Sequence, residues 1–566
     1  MNRRSFVVTG TGALGAALWP MGSTAGTLVA GAAGRTGGGA GLQSDLVLRG
    51  GTVYDGTGAS PVVADVVISA GRIIAVGPDA GRPGATVLDI RGLAVAPGFI
   101  DSHSHTDLSL LAHPNAESKV RQGVTTEVAG QDGGSVSPAG ADRVADIRRQ
   151  YGEDVDVSRL AGFFAAIERR GAAVNIASMV GAGTIRGLVA GGADRPPTGA
   201  ELEAMVDHVR RAVEDGACGL SSGLEYTPGG FARLDELVAL ASALRGTSLP
   251  YASHMRNEDD QLFAAIEEAL NVGRFAGVPV HISHLKAQGE RNWWKAEPVL
   301  RMLEAARDDG VDLTFDRYPY IAYSTGLSNL FPLWSRDGGS DAFVARLQDP
   351  AQRERIEAEV RDKIEELGSW DAVQITSTGS AVAFARGKRL GALAQERGEE
   401  PMALLWRIMI EDRARPGMIG FGMSEENTAR FLAHPLGMIC SDAPARATQG
   451  PLSGGTPHPR AYGSYPRVLG HYVRDQKVMP LEIAIHKMTA MPAALLRFAD
   501  RGRIAPDMAA DLVVFDPATV ADTATFERPH AYPVGIPHVI VNGEFVVREG
   551  EHTGAAPGRV LRPLRG

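Results

Sequence analysis

The chain has 566 residues, 44% hydrophobic and 22% charged, with a formal net charge of −9. That is ordinary globular composition, and its acidic balance excludes a nucleic-acid binder that works through basic patches. The two cysteines, Cys218 and Cys440, exclude a disulfide scaffold and any Cys-x-x-Cys metal site.

Arg3-Arg4 stands before a run of small and apolar residues that continues to Gly34. This order reads as a twin-arginine export signal, and Ala30-Gly31-Ala32 offers a small-residue cleavage site. The run is too mildly apolar for a stable membrane anchor, and no later segment approaches spanning length. The expectation is export through the twin-arginine machinery to a periplasmic or extracellular location. Residues 1–40 are therefore set aside as signal peptide and disordered segment.

Residues 44–97 read as short strands joined by turns, including a hairpin of Val63–Ser69 with Arg72–Val76 across Ala70-Gly71. Ala510–Asp516 and Val539–Val547 repeat that pattern near the other end, the second run carrying an Asn542-Gly543 hairpin turn. The expectation is one small β-sandwich domain built from both termini, residues 44–97 with 505–562. Between them, residues 98–504 alternate strands with helices. After an opening strand come candidates at Thr125–Gly130, Val174–Val180, Gly219–Leu224, Pro250–His254, Val278–His284, Val311–Phe315 and Gly437–Ser441. Glu201–Asp215, Leu234–Leu244, Gln261–Leu270 and Glu297–Arg307 have helical spacing between them. The fold class expected is α/β, a (β/α)8 TIM-like barrel. One connection is far too long for a bare loop. Residues of about 330–430 are expected to form an insertion over the barrel mouth, with helices at Pro350–Leu367 and Ala403–Asp412.

Active sites of such barrels lie at the C-terminal strand ends. The opening strand runs through Pro97-Gly98-Phe99-Ile100-Asp101-Ser102-His103-Ser104-His105. Strand alternation places His103 and His105 on one face, with Asp101. The later strand ends offer Asp132, Glu225, His254, His284 with Lys286, and Asp442. His281 falls out of phase with His284 and reads as a core or helix-facing residue. Histidines and carboxylates without thiolate suit Zn²⁺ or another first-row divalent ion, one or two per chain. Asp442 suits a general base acting on water beside the metal.

The opening-strand pattern resembles the signature of the amidohydrolase superfamily. More closely, the chain resembles the N-acyl-D-amino-acid deacylases (D-aminoacylases). The matching pieces are Gln122–Glu127, Ser253-His254-Met255-Arg256-Asn257-Glu258, Ile282–Lys286, Asp316-Arg317-Tyr318-Pro319-Tyr320, Ser441-Asp442, His458–Gly463 and Ala509–Asp516. The resemblance implies hydrolysis of the amide of N-acyl-D-amino acids, a small-molecule substrate class. It implies that His254 and His284 bind the tighter zinc, with His103 and His105 at a second position. Asp442 becomes the acid/base. Lys286, Tyr318 or Tyr320, and Arg460 become substrate contacts, with Arg460 gripping the carboxylate.

Those relatives usually carry a cysteine ligand where this chain has Asp132, and Ala443–Pro457 is longer than their usual spacing. Asp132 and Glu225 both remain candidates for a carboxylate ligand, Asp132 slightly ahead. The alternative for Asp132 is a cap on the Gly-rich turn after it. The functional alternatives are a cyclic-amidase or D-dipeptidase of the same superfamily, and a catalytically inactive exported binding protein.

Overall fold

The computed structural model describes residues 45–81 and 83–564, so the expected export signal lies outside the described residues. Strands from both ends of the chain pair into one nine-stranded sheet. Leu512–Phe515 runs antiparallel to Ala94–Pro97, which lies beside Leu46–Val53. Alternation splits each strand between two cores. Leu512, Val514 and Ile540 join Leu48, Val66, Ile68 and Val95 inside the β domain. Val513, Phe515, Val539 and Val541 turn the other way, into the core shared with the barrel helices. Both faces are buried, which is why these strands read as continuous apolar runs. Beyond the sheet the tail lies along the barrel, where Gly558 and Leu561 donate backbone hydrogen bonds to Ala172 and Ile176.

The barrel strands are Phe99–Asp101, Val124–Ala129, Asn175–Ser178, Leu220–Gly223, Tyr251–His254, Val280–Ile282, Leu313–Arg317 and Gly437–Ile439. The third resumes as Val180–Gly181, which pairs with the fourth. A parallel bridge between Ser104 and Ala443 joins first to last, and the Asp442 amide donates to the His103 carbonyl at 2.9 Å. The chain therefore folds as a closed (β/α)8 barrel with a β domain. Ile100, Val128, Ala177, Met179, Cys218 and Ala252 cluster as an apolar plug in its interior. Outside, the helix Gly199–Asp215 starts with a capping box between Thr198 and Glu201. The helix Leu262–Ala276 buries Leu262, Ile266, Ala269 and Leu270 against Val280, Ile282 and Phe315.

The seventh strand pairs directly with the eighth, although residues 318–436 lie between them. This long segment has its own antiparallel sheet of Ala322–Gly326, Gly417–Phe421 and Val373–Ser377. It carries helices at Ser340–Gln348, Pro350–Leu367, Leu390–Arg397 and Pro401–Glu411 around a separate apolar core. It meets the loops that follow the fourth, fifth and sixth strands. Asn329 donates to Glu225 at 3.1 Å, Lys363 pairs with Asp259, and the Trp293 indole donates to the Gly422 carbonyl at 3.0 Å.

One buried residue ties the β domain to the barrel. Asp511 pairs with Arg501 and accepts from the Asn175 side chain at 2.8 Å and the Asn542 amide at 2.6 Å. Asn175 lies on the third barrel strand. Removing one partner of a buried pair strands the other charge, so Asp511→Ala should cost about 3 kcal/mol. A lowered unfolding midpoint by circular dichroism is the expected result.

Candidate metal and active site

The Asp132 carboxylate sits among four histidines. Its oxygens lie 3.2 Å from His103 Nε2, 3.4 Å from His105 Nε2, 3.7 Å from His254 Nδ1 and 3.3 Å from His284 Nε2. Asp442 Oδ1 is 3.0 Å from His105 Nε2 and 3.7 Å from His103 Nε2. Ligand atoms of His103, Asp132, His284 and Asp442 all fall within 4.8 Å of one another, as do those of His254, Glu258 and His284. Residues from the first, second, fifth, sixth and eighth strand ends thus converge.

Local backbone geometry aims these groups. Asp132, His284 and Asp442 all have left-handed φ, at +53°, +38° and +50°. Asp, Asn and His are the non-glycine types most often found there. Each residue lies just past a strand end, where the turn carries its side chain to the mouth. For this reason simple alternation fails at the sixth strand. His281 pairs with Ala252, an interior residue, so His281 faces the barrel interior rather than the helices. There it bonds Thr314 at 2.8 Å and Asp316 at 2.9 Å. Ile282 faces the helices, and the strand ends there, so His284 reaches the site through its turn and not through its phase. Asp101 also departs from the sequence expectation. Its carboxylate takes Lys119 and Ser441 instead of facing the mouth with the histidines.

Around this group stand residues that orient it. Glu258, which pattern reading left without a role, lies 3.1 Å from His284 Nδ1 and pairs with Lys286 at 2.6 Å. It also accepts from Gln288 at 2.8 Å. Lys286 Nζ is 2.7 Å from His284 Nδ1. Asp316 approaches His103 Nδ1 at 3.8 Å and accepts from Ser102 at 3.0 Å. Both acidic residues stand in motif segments; Glu258 lies beyond its strand, whereas Asp316 lies at the end of the seventh strand in phase with the inward-facing Thr314, a position that strand phase could have flagged. Tyr226, also missed, packs with its ring tilted against that of His254, centroids 4.6 Å apart, and its hydroxyl meets Thr325 at 3.2 Å.

Arg460 opens the helix Arg460–Arg467 and pairs with Asp442 Oδ2 at 2.6 Å, its guanidinium 4.6 Å above the Tyr318 ring. The Tyr318 hydroxyl is buried without a hydrogen-bond partner. Of the two tyrosines considered, Tyr320 is committed elsewhere: its hydroxyl meets Asp522 at 3.3 Å and Arg467 covers its ring. Glu225 does not join the Asp132 group. It lies on the far side of His254, 3.5 Å from Nε2, where Asn329 of the long segment holds it.

Residues 86–547 match the amidohydrolase family. The chain is 37% identical to a D-aminoacylase of Alcaligenes xylosoxydans xylosoxydans, over 91% of this chain and 97% of that one. It is 37% identical to an N-acyl-D-aspartate deacylase of the same organism, over 92% and 95%. The chain belongs to the amidohydrolase family. A crystal structure of N-acyl-D-glutamate deacylase from Bordetella bronchiseptica, complexed with zinc and a phosphonate inhibitor, superposes on this amidohydrolase with a TM-score of 0.78. That match has 35% identity and covers 92% of this chain and all of that one.

The donor set fits a divalent ion. Both ring nitrogens of His103, Nε2 of His254 and Oδ1 of Asp132 are buried without hydrogen-bond partners. Buried polar atoms without partners are costly unless something else satisfies them. Burial lowers the proton affinity of His105, but hydrogen bonds to Asp132 and Asp442 outweigh it and push its pKa up to about 10. Burial acts likewise on His254, and Glu258 and Asp132 overcome it, again to about 10. Burial opposes ionisation of Asp132, yet His103, His284 and His254 hold its carboxyl well below the usual range.

In this amidohydrolase, metal binding must therefore displace protons from imidazoles, because only the neutral ring coordinates. Affinity should fall as pH falls, by about tenfold per unit for each proton displaced. Chelator competition at two pH values checks this, with tighter zinc binding expected at the higher one.

Proposed function

We propose that the chain is a metal-dependent N-acyl-D-amino-acid deacylase, cleaving the amide to a carboxylate and a free D-amino acid. The observation that carries this reading is the Asp132 carboxylate among four histidines beside the Asp442–Arg460 pair. It stands in a chain 35–37% identical to a D-aminoacylase and to N-acyl-D-glutamate and N-acyl-D-aspartate deacylases over nine-tenths of its length. Zinc is the ion this reading favours. His254, His284 and Asp132 would hold one ion, with His103, His105 and Asp442 available to a second. A metal here supplies Lewis acidity toward the carbonyl oxygen and lowers the pKa of water.

The chain's own groups do the rest. Burial disfavours the Asp442 anion, but Arg460 and His284 overcome that and keep it ionised. It can therefore accept a proton from the attacking water and pass it to the leaving nitrogen. Arg460 offers a guanidinium fork suited to the substrate carboxylate, next to that base. Burial keeps the Tyr318 phenol protonated against the pull of Lys286 and Arg460. Its unpartnered hydroxyl can donate to the carbonyl oxygen as negative charge develops. Glu258 steadies Lys286 and His284 from behind.

The anion fork supports an open-chain substrate bearing a carboxylate over a cyclic amide. The set of buried donors around Asp132 counts against the inactive-barrel alternative. Paired D and L N-acetyl amino acids assayed with zinc test the reading; turnover confined to the D series is expected, and turnover of hydantoins alone would overturn it. In the same assay Asp442→Asn should lower kcat by at least about 100-fold.

Export by the twin-arginine route is also proposed, supported by Arg3-Arg4 ahead of the small-residue run. Cell fractionation should find the enzyme outside the cytoplasm, and Arg3→Lys with Arg4→Lys should retain it inside.

A further inference from the structure

Lys119 is the most enclosed cation in this part of the barrel, with a fully buried side chain. It stands on the short helix Glu117–Val120, between the first two barrel strands, and reaches under the metal site. Its ammonium lies 2.7 Å from Asp101 and 2.9 Å from Glu127. It also donates to the Ser441 hydroxyl at 2.8 Å and the Ala443 carbonyl at 2.8 Å. An ammonium has three protons, so four close acceptors leave none free.

The placing of those acceptors is what gives the cluster meaning. Ser441 and Ala443 flank Asp442, the residue with left-handed φ that carries the proposed base. Asp101 holds the Ser441 amide at 2.9 Å, and its carboxylate also takes the Ser441 hydroxyl. The Ala443 carbonyl accepts from the His105 amide at 3.2 Å. Glu127 accepts from Ser104, between the two histidines, at 2.8 Å and from Thr106 at 2.6 Å. One buried lysine thus touches the chain on both sides of Asp442 and, through Glu127, the backbone that presents His103 and His105. A residue in an uncommon backbone conformation persists only where its surroundings fix it.

We propose that Lys119 is a positioning residue for Asp442, clamping both neighbours of that residue so that its carboxylate stays aimed at the histidines. The proposal rests on the deacylase reading of Asp442. Lys119 touches no residue assigned to substrate, so losing the clamp should act on kcat and leave KM alone.

Lys119→Met alone leaves two buried carboxylates unpaired and threatens folding. The main test is therefore the neutral triple variant Asp101→Asn, Lys119→Met, Glu127→Gln. It should fold with near-normal melting temperature and keep the zinc assigned to His254, His284 and Asp132. Its kcat should fall about 10- to 100-fold, in the range seen when groups behind a metal site are removed, with KM within about twofold. A folded triple variant with wild-type kcat, or one whose loss lies in KM, overturns the proposal. Ser441→Ala keeps every charge and removes one clamp contact. A fall in kcat of several-fold at unchanged KM and melting temperature is expected there, and unchanged kcat overturns the proposal even if the triple variant fails to fold. Asp442→Asn run in parallel separates the two levels. If it stays active, both readings fail; if it is inactive while the clamp variants are unimpaired, only the clamp fails.

Discussion

A buried carboxylate surrounded by imidazoles is the constraint on which this molecule turns. Moving an anion such as Asp132 out of water is expensive, and the interior must return that cost through close opposite charge or a bound ion. His103, His105, His254 and His284 stand at 3.2–3.7 Å from its oxygens. The histidines come from three different strand ends and the carboxylate from a fourth, so no local segment can assemble the group. The barrel has to close first. Its closing contact, between the Asp442 amide and the His103 carbonyl, joins two residues of the site itself.

The next layer explains why the imidazoles do not simply pair with one carboxylate and collapse. Asp316 stands by His103 and His281, Glu258 holds His284 together with Lys286, and Arg460 draws Asp442. His284 and Asp442 thus each have a partner on the outer side, and Asp316 stands near His103. Such partners fix ring orientation and tune basicity in metal sites generally. Beneath them Lys119, Asp101 and Glu127 extend the same pattern to the backbone. Above them the long segment between the seventh and eighth strands contributes Asn329 to Glu225, Thr325 to Tyr226 and the Ser324 carbonyl to Arg460. The pocket wall is therefore built from a part of the chain with its own core, fixed against the barrel rim.

Much of this was legible in the residue order. Apolar runs of four to six residues spaced by amphipathic helices identify a parallel barrel, because only strands buried on both faces read that way. The paired histidines of the first strand and single ones at the fifth and sixth mark the chemistry, since imidazoles seldom gather at successive strand ends without a ligand. The family resemblance put Asp132 slightly ahead as the carboxylate ligand and supplied Arg460 with Tyr318 or Tyr320. The strand-phase argument fared worse. It left His281 between the core and the helices and sent Asp101 toward the mouth, and the family resemblance left Glu225 a near equal of Asp132.

The failures share a physical cause. Alternation is a property of extended backbone and lapses where the strand stops, and the site lies beyond that point. Left-handed turns at Asp132, His284 and Asp442 reset the direction of each side chain. Nothing in the spacing announces them. The roles of Glu258, Asp316 and Lys119 depend on contacts between segments far apart in the chain, which only the closed barrel creates. The sequence by itself determined the fold class, the kind of donor and the end of the barrel where donors meet. Tertiary structure alone decided which carboxylate stands among the histidines, which tyrosine is free to act, and which buried charges hold them, because those choices are settled by distances across the barrel mouth.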